Sequence, residues 1–224
     1  MQDFSIQQVE SLVFEFGYTC LGWLTPAAEL SGLPFDISGP RSLLLIGNAG
    51  GAMWQRFNAE AAEFDHSLDK WCHEKISRIA DQCDARALFP YDRPHMPFQR
   101  WAVQTGAFFT SPLGLTVHRE YGLWHAFRGA LLFNREVQWP TVPEQNSPCQ
   151  TCEDRPCMSA CPVGAFSPDS YDVPACVGHL TTTDSKNCSS QGCAARRACP
   201  VGSSYQYSTN QATFHMGAFK RTFS

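Results

Sequence analysis

Apolar residues recur at helical spacing near the start of the chain, where Ile6, Val9, Leu12, Val13 and Phe16 share a face and Gly17 follows as a stop. Residues 42–47 (SLLLIG) are a short unbroken apolar run suited to a buried strand, and Asn48-Ala-Gly-Gly then turns the chain. A second helical pattern covers residues 65–82, with Leu68, Trp71, Cys72, Ile76 and Ile79 on one side. Residues 86–89 read as a strand, and residues 98–106 as a short helix entered through Pro97, whose fixed φ suits a first turn. Residues 115–118 and 123–133 read as two strands around the turn 119–122. Interspersed helices and strands of this kind predict an α+β fold, an α/β sandwich.

The pattern breaks at residues 138–148 (QWPTVPEQNSP), where prolines and polar residues mark a boundary. This gives a first domain at 1–138 and a second, loop-rich one with few aliphatics at 139–224. At 43% hydrophobic and 17% charged the chain has enough apolar surface for a core, which excludes wholesale disorder. A net charge of -4 argues against nucleic acid as the main partner. No run of about 18 apolar residues is present to cross a bilayer. The acidic, interrupted start MQDFSIQQVESLVFEF is unlike a secretory leader. The expectation is a cytoplasmic protein with neither membrane nor nucleic acid as partner.

Cysteine changes the picture. There are 11, of which Cys20, Cys72 and Cys83 are scattered and read as core residues. The other eight, Cys149, Cys152, Cys157, Cys161, Cys176, Cys188, Cys193 and Cys199, crowd into the second domain. In a reducing compartment such a group points to metal rather than to disulfides. Residues 149–162 run C-x2-C-x4-C-x3-C-P, and Cys188-x4-Cys193-x5-Cys199-Pro200 repeats the theme after a lone Cys176. Three close cysteines and one remote one supply the corners of an iron–sulfur cubane. In two-cluster ferredoxins the cysteine before proline serves the other cluster. That crossing rule puts Cys149, Cys152, Cys157 and Cys199 on one [4Fe–4S] cluster and Cys161, Cys176, Cys188 and Cys193 on the second. Structural zinc would use the same residue type at C-x2-C spacing, and the wider gaps of the second half leave a single-cluster protein open. Arg155, Lys186, Arg196 and Arg197 lie among the ligands, as solvated loop charges or as positive charges that raise a cluster's potential.

Residues 98–133, and within them Gly122-Leu-Trp-His-Ala-Phe-Arg-Gly129, resemble cobalamin-processing proteins of the cblC type. The second domain, with Cys161-Pro-Val-Gly-Ala-Phe, the lone Cys176 in VPACVGHL and the Cys-Pro ending, is similar to epoxyqueuosine reductases and reductive dehalogenases. These join a nitroreductase-like, cobalamin-binding domain to a two-cluster ferredoxin module in the same order. The resemblance implies a nitroreductase-like α/β sandwich followed by a ferredoxin-like module. It also implies an iron–sulfur oxidoreductase that passes single electrons to a corrinoid. The chain is shorter than epoxyqueuosine reductases and has no counterpart to their tRNA-binding repeats. Their catalytic aspartate finds only Asp92 nearby, at a different spacing from Pro97.

On the same basis Arg128 is the candidate for holding a polar group of the corrinoid, or else a strand arginine paired with a carboxylate. Gly122 belongs to the same element. His118 and His125 would donate to corrin side chains, or sit satisfied at the core or rim. Trp124 either lines the cofactor or packs the core. Two functional classes remain beside the corrinoid reading: a ferredoxin-type carrier that serves a redox partner protein or small-molecule acceptor, and a flavin-dependent reductase. A homodimer is compatible with the flavin relatives.

Overall fold

The computed structural model describes residues 5–25, 41–140, 142–168 and 170–223. In chain order the elements are α1 (Ile6–Glu15), β1 (Thr19–Leu24), β2 (Ser42–Ala49), α2 (Ala52–Glu60), α3 (Leu68–Gln82), β3 (Arg86–Leu88), α4 (Phe98–Gln104), β4 (Phe108–Thr110), β5 (Thr116–His118) and β6 (His125–Phe133). There follow α5 (Pro156–Ser159), β7 (Phe166–Ser167), β8 (Ser170–Tyr171), α6 (Val173–Leu180), α7 (Lys186–Gln191), α8 (Ala194–Arg197) and α9 (Thr209–Phe223). Two compact units result, one within residues 1–107 and 126–144, the other within 108–125 and 145–224.

These units are interleaved, whereas the sequence places one cut at 138/139. Residues 108–125 belong with the cysteine-rich part because Leu113, Val117 and Leu123 are buried in one cluster with Cys157 and Ala195. The two strands expected around the turn 119–122 accordingly do not pair as a hairpin. β5 pairs antiparallel with β4, β6 joins a different sheet, and a single bridge His118↔Gly122 closes the turn between them.

In the first unit a four-stranded sheet has the order β1-β2-β6-β3. β2 is central, and Leu43, Leu44, Leu45 and Ile46 are wholly buried, as an apolar run without alternation requires. A Cβ on Gly47 would lie 2.1 Å from the carbonyl oxygen of Ala126, so only glycine lets β2 and β6 approach so closely. α1 starts with a capping box in which Ser5 and Gln8 satisfy each other's backbone N–H groups, and it buries Val9 and Val13. α3 is capped by the Ser67 hydroxyl and buries Leu68, Trp71, Cys72, Ile76, Ile79 and Ala80. Cys72 and Cys83 are in this core, whereas Cys20 on β1 is half-buried.

The second unit contains two short antiparallel ribbons, β4–β5 and β7–β8, and five helices among its described residues. It carries more helix than the loop-rich expectation, chiefly through the 15-residue α9, which packs on α6 and α7. Trp124, Tyr207 and Ala212 form a second small core there. Among the described residues no helix is long and apolar enough to cross a membrane.

Candidate functional site

All eight crowded cysteines fall in the second unit, each on or beside a short helix. Cys149 and Cys152 precede α5, Cys157 lies in it and Cys161 follows it. Arg155, at φ 39, turns the chain into α5, and Pro156 occupies its first turn. Cys176 is on α6 and Cys188 on α7, while Cys193 caps α8 and Cys199 follows it.

The thiols act on one another in two sets. Burial raises Cys157 above the usual thiol range, and the thiols of Cys199, Cys149 and Cys152 push it further the same way. Cys199, raised by burial, also feels Cys149 and Cys152. In the other set burial raises Cys176, to which Cys161 and Cys188 add, and burial raises Cys193, to which Cys176 and Cys188 add. By these mutual influences Cys157 and Cys199 go with Cys149 and Cys152, and Cys176 and Cys193 go with Cys188, Cys161 also bearing on Cys176. Among the described residues no three His, Cys, Asp or Glu side chains close on the geometry of a single ion.

Donors surround the sulfurs. The Ala165 N–H donates to Cys161 Sγ at 3.4 Å. The Ser147 hydroxyl opposes the rise at Cys149, the Val201 N–H that at Cys199, the Tyr171 hydroxyl that at Cys176, and the N–H groups of Arg196 and Ala195 that at Cys193. Cys149, Cys157, Cys176, Cys193 and Cys199 are all held towards the thiol by burial, and a bound metal centre would reverse this because a coordinating thiol is deprotonated outright. Two sets of four soft donors, each with N–H or O–H groups aimed at sulfur, fit two iron–sulfur clusters in chemistry and in number. Tyr171 and Ser147 gave no signal in the sequence, since neither follows a period or a cysteine motif.

The residues grouped for a corrinoid are divided between the units. His118, Gly122 and Trp124 lie in the second, where each has an internal task. His118 Nδ1 accepts the N–H groups of Glu120 and Tyr121, both at 3.1 Å, which leaves the ring proton on Nε2. Gly122, at φ +57, meets the chain so closely that a Cβ would lie 1.9 Å from the Val201 carbonyl oxygen. Trp124 is 1% exposed and packs edge-on against Tyr207. His125 Nδ1 donates to the Gly122 carbonyl and Nε2 accepts the Thr116 hydroxyl, each at 3.2 Å, so the neutral ring is fully satisfied. Burial is the first cause that lowers both histidines, His118 to about 4 and His125 to about 3.

Arg128 lies in the first unit, half-buried on β6. Its Nε donates to Asn48 Oδ1 at 2.9 Å, so its partner is an amide and not the carboxylate of the alternative reading. Its charge reaches the buried Cys72 thiol and Tyr18 hydroxyl, which burial raises and which it lowers. Asn48 itself is fully buried, which makes the Asn48-Ala-Gly-Gly turn an anchor for Arg128. Asp92 accepts the Phe89 N–H at 2.8 Å, a local turn-forming bond. Neither unit by itself assembles the corrinoid candidates into one site.

No protein-family model matches the chain, and a search of curated proteins finds no match. Among solved structures it is similar to the B12-trafficking protein CblC of C. elegans, a human MMACHC homologue. The TM-score is 0.53 at 14% identity, over 97% of this chain and 94% of that one. It is also similar to epoxyqueuosine reductase from Streptococcus thermophilus, with TM-score 0.56 and 14% identity over 88% of this chain and 65% of that one. A third likeness is to an epoxyqueuosine reductase solved with a tRNA stem loop, with TM-score 0.55 and 15% identity over 92% and 68%. The chain thus spans about two thirds of the reductases and nearly all of CblC. At such identities the likeness is one of fold: this chain has the α+β fold found in CblC and the epoxyqueuosine reductases.

Proposed function

We propose that this chain is an iron–sulfur electron-transfer protein that carries two [4Fe–4S] clusters and passes single electrons to a corrinoid, for reductive cobalamin processing or a cobalamin-dependent reduction. The observation that carries the reading is the division of eight thiols into two sets of four within one unit. The fold shared with a B12-trafficking protein supports the choice of acceptor. When bound, the clusters supply one-electron couples in a range of roughly −700 to +450 mV, which includes the low potentials that a corrinoid demands. The thiols hold them, and the N–H and O–H donors around the sulfurs stabilise the reduced, more negative state. In the first unit Arg128, held by Asn48 and without an ion-pair partner among the described residues, is the group available to a polar side group of the corrinoid.

A second reading is a ferredoxin-type carrier for a partner protein. The observation that favours it is the internal employment of His118, Gly122 and Trp124, which leaves Arg128 alone among the cofactor candidates. One experiment separates the readings. Protein purified without oxygen and reconstituted with iron and sulfide is mixed with hydroxocobalamin or with flavin, then gel-filtered. Co-elution of a corrinoid whose bands shift and respond to the reduced protein supports the first reading. Cluster absorption with no retained ligand supports the second, and retained flavin overturns both in favour of a flavin-dependent reductase.

A further inference from the structure

β7 and β8 are only two residues each, yet the ribbon they form is tied to the cysteines on both sides. Phe166 pairs with Tyr171 and Ser167 with Ser170. Ala165, just before β7, is 3% exposed and donates its N–H to Cys161 Sγ at 3.4 Å. Its carbonyl accepts the N–H of Asp172, just after β8, at 2.8 Å. Asp172 in turn caps α6, where its carboxylate accepts the Ala175 N–H at 2.9 Å, and α6 carries Cys176. The ribbon therefore joins the chain that follows Cys161 to the helix that holds Cys176.

Tyr171 is the side chain that this ribbon aims. Its ring stacks on Phe166, with 4.5 Å between centres and 6° between planes, and Phe219 of α9 lies 6.4 Å away. A phenol oxygen lies in the plane of its ring, so a ring held in a stack fixes where the hydroxyl points. That hydroxyl donates to the Cys176 thiol, and the Cys193 and Cys161 thiols bear on it as well. All three are assigned to the second cluster. The side-chain hydroxyl on the other set is that of Ser147, at Cys149. Tyr171 is 37% exposed, so removing its oxygen leaves no buried cavity, and a phenylalanine would keep the stack.

We infer that Tyr171 is a positioning residue whose hydroxyl, fixed on Cys176 by the β7–β8 ribbon, raises the potential of the second cluster and not that of the first. The inference rests on the iron–sulfur reading and adds to it a separate control for each cluster. One electron added to a cubane places further negative charge on its sulfurs, and the phenol keeps its proton. A donor already aimed at a ligand sulfur is bonded more strongly in that reduced state, which favours reduction. Ser147 stands in the same relation to Cys149 in the first set.

The test uses Tyr171→Phe, Ser147→Ala and Tyr205→Phe in the reconstituted full chain, with iron and sulfide counted first and both potentials then read by EPR-monitored redox titration. Tyr171→Phe is expected to load like wild type and to lower one potential only, the reduction constant falling about fivefold, ~40 mV for a one-electron couple. Ser147→Ala should lower the other potential. Tyr205→Phe removes a hydroxyl that donates to Glu120 rather than to sulfur, and should move neither. Two unchanged potentials in a fully loaded Tyr171→Phe protein overturn the inference and leave the iron–sulfur reading intact. So does an equal fall in both, or a fall in the same potential for Tyr171→Phe and Ser147→Ala. Loss of a cluster from Tyr171→Phe also overturns it, because the hydroxyl then serves assembly and not potential. A wild-type chain that takes up no iron fails the underlying reading instead.

Discussion

Acid should destabilise this protein through His125. The ring is 8% exposed, and both nitrogens are committed in the neutral form, Nδ1–H to the Gly122 carbonyl and Nε2 to the Thr116 hydroxyl. Protonation would turn Nε2 from an acceptor into a donor and place a charge near Arg196, which together with burial lowers the pKa to about 3. An unfolded histidine titrates near 6.5, so the unfolded chain takes the proton first and the folded state loses ground as pH falls from about 6.5 towards 3. At pH 5 the difference is about 1.5 units at 1.36 kcal/mol each, or ~2 kcal/mol. The comparison is with His125→Asn, which keeps a donor for the Gly122 carbonyl and cannot titrate. Anaerobic urea unfolding, followed by circular dichroism at pH 7.5 and pH 5, should show wild type losing about 2 kcal/mol more than the variant. Equal losses would refute the assignment of a buried neutral imidazole, whatever the variant's stability at pH 7.5.

Further outcomes follow from single contacts. Cys152→Ala should lower bound iron by about four atoms per chain, one cubane's worth, with the other cluster's EPR signal retained. Gly122→Ala should cost about 1–3 kcal/mol more than Gly114→Ala in the same unfolding assay. Both glycines have positive φ, but a Cβ at Gly114 meets nothing within 4 Å while one at Gly122 meets the Val201 carbonyl. Asp92→Asn preserves an acceptor for the Phe89 N–H and should leave stability within about 0.5 kcal/mol and electron delivery unchanged. Activity lost from a stable Asp92→Asn protein would make the carboxylate catalytic after all.

The elements legible in the sequence are those with one face turned to the core. α1, β2 and α3 bury their apolar positions at the spacing that announces them. β1 escaped because Gly22 and a register shift between Cys20 and Gly22 interrupt its alternation. α9 escaped because only Gln211 and Ala212 on it are buried, so no apolar stripe marks it. The strands at residues 115–118 and 123–133 could be seen but their partners could not. A tight turn suggests a hairpin, and only the burial of Val117 and Leu123 beside Cys157 shows why β5 pairs with β4.

The candidate site divides in the same way. Cysteine spacing is a local property and marks the cysteine-rich region, whereas the company that Cys199 keeps with Cys149, Cys152 and Cys157 joins residues remote along the chain. Arg196 looks like one more loop charge in the sequence. Its contact with the Trp124 ring, remote along the chain, and with the Tyr207 ring arises only in the fold. The corrinoid candidates were grouped by resemblance over one continuous segment, and the structure parts Arg128 from His118, Gly122 and Trp124 at the point where that segment passes from one compact unit to the other.

Iron and acid-labile sulfide counts on protein purified and reconstituted without oxygen, with the EPR spectrum after dithionite reduction, bear most directly on the central claim. Two cubanes predict about eight irons and eight sulfides per chain, with signals from two interacting reduced clusters. Colourless protein that binds zinc at the same thiols, or no metal at all, would contradict it.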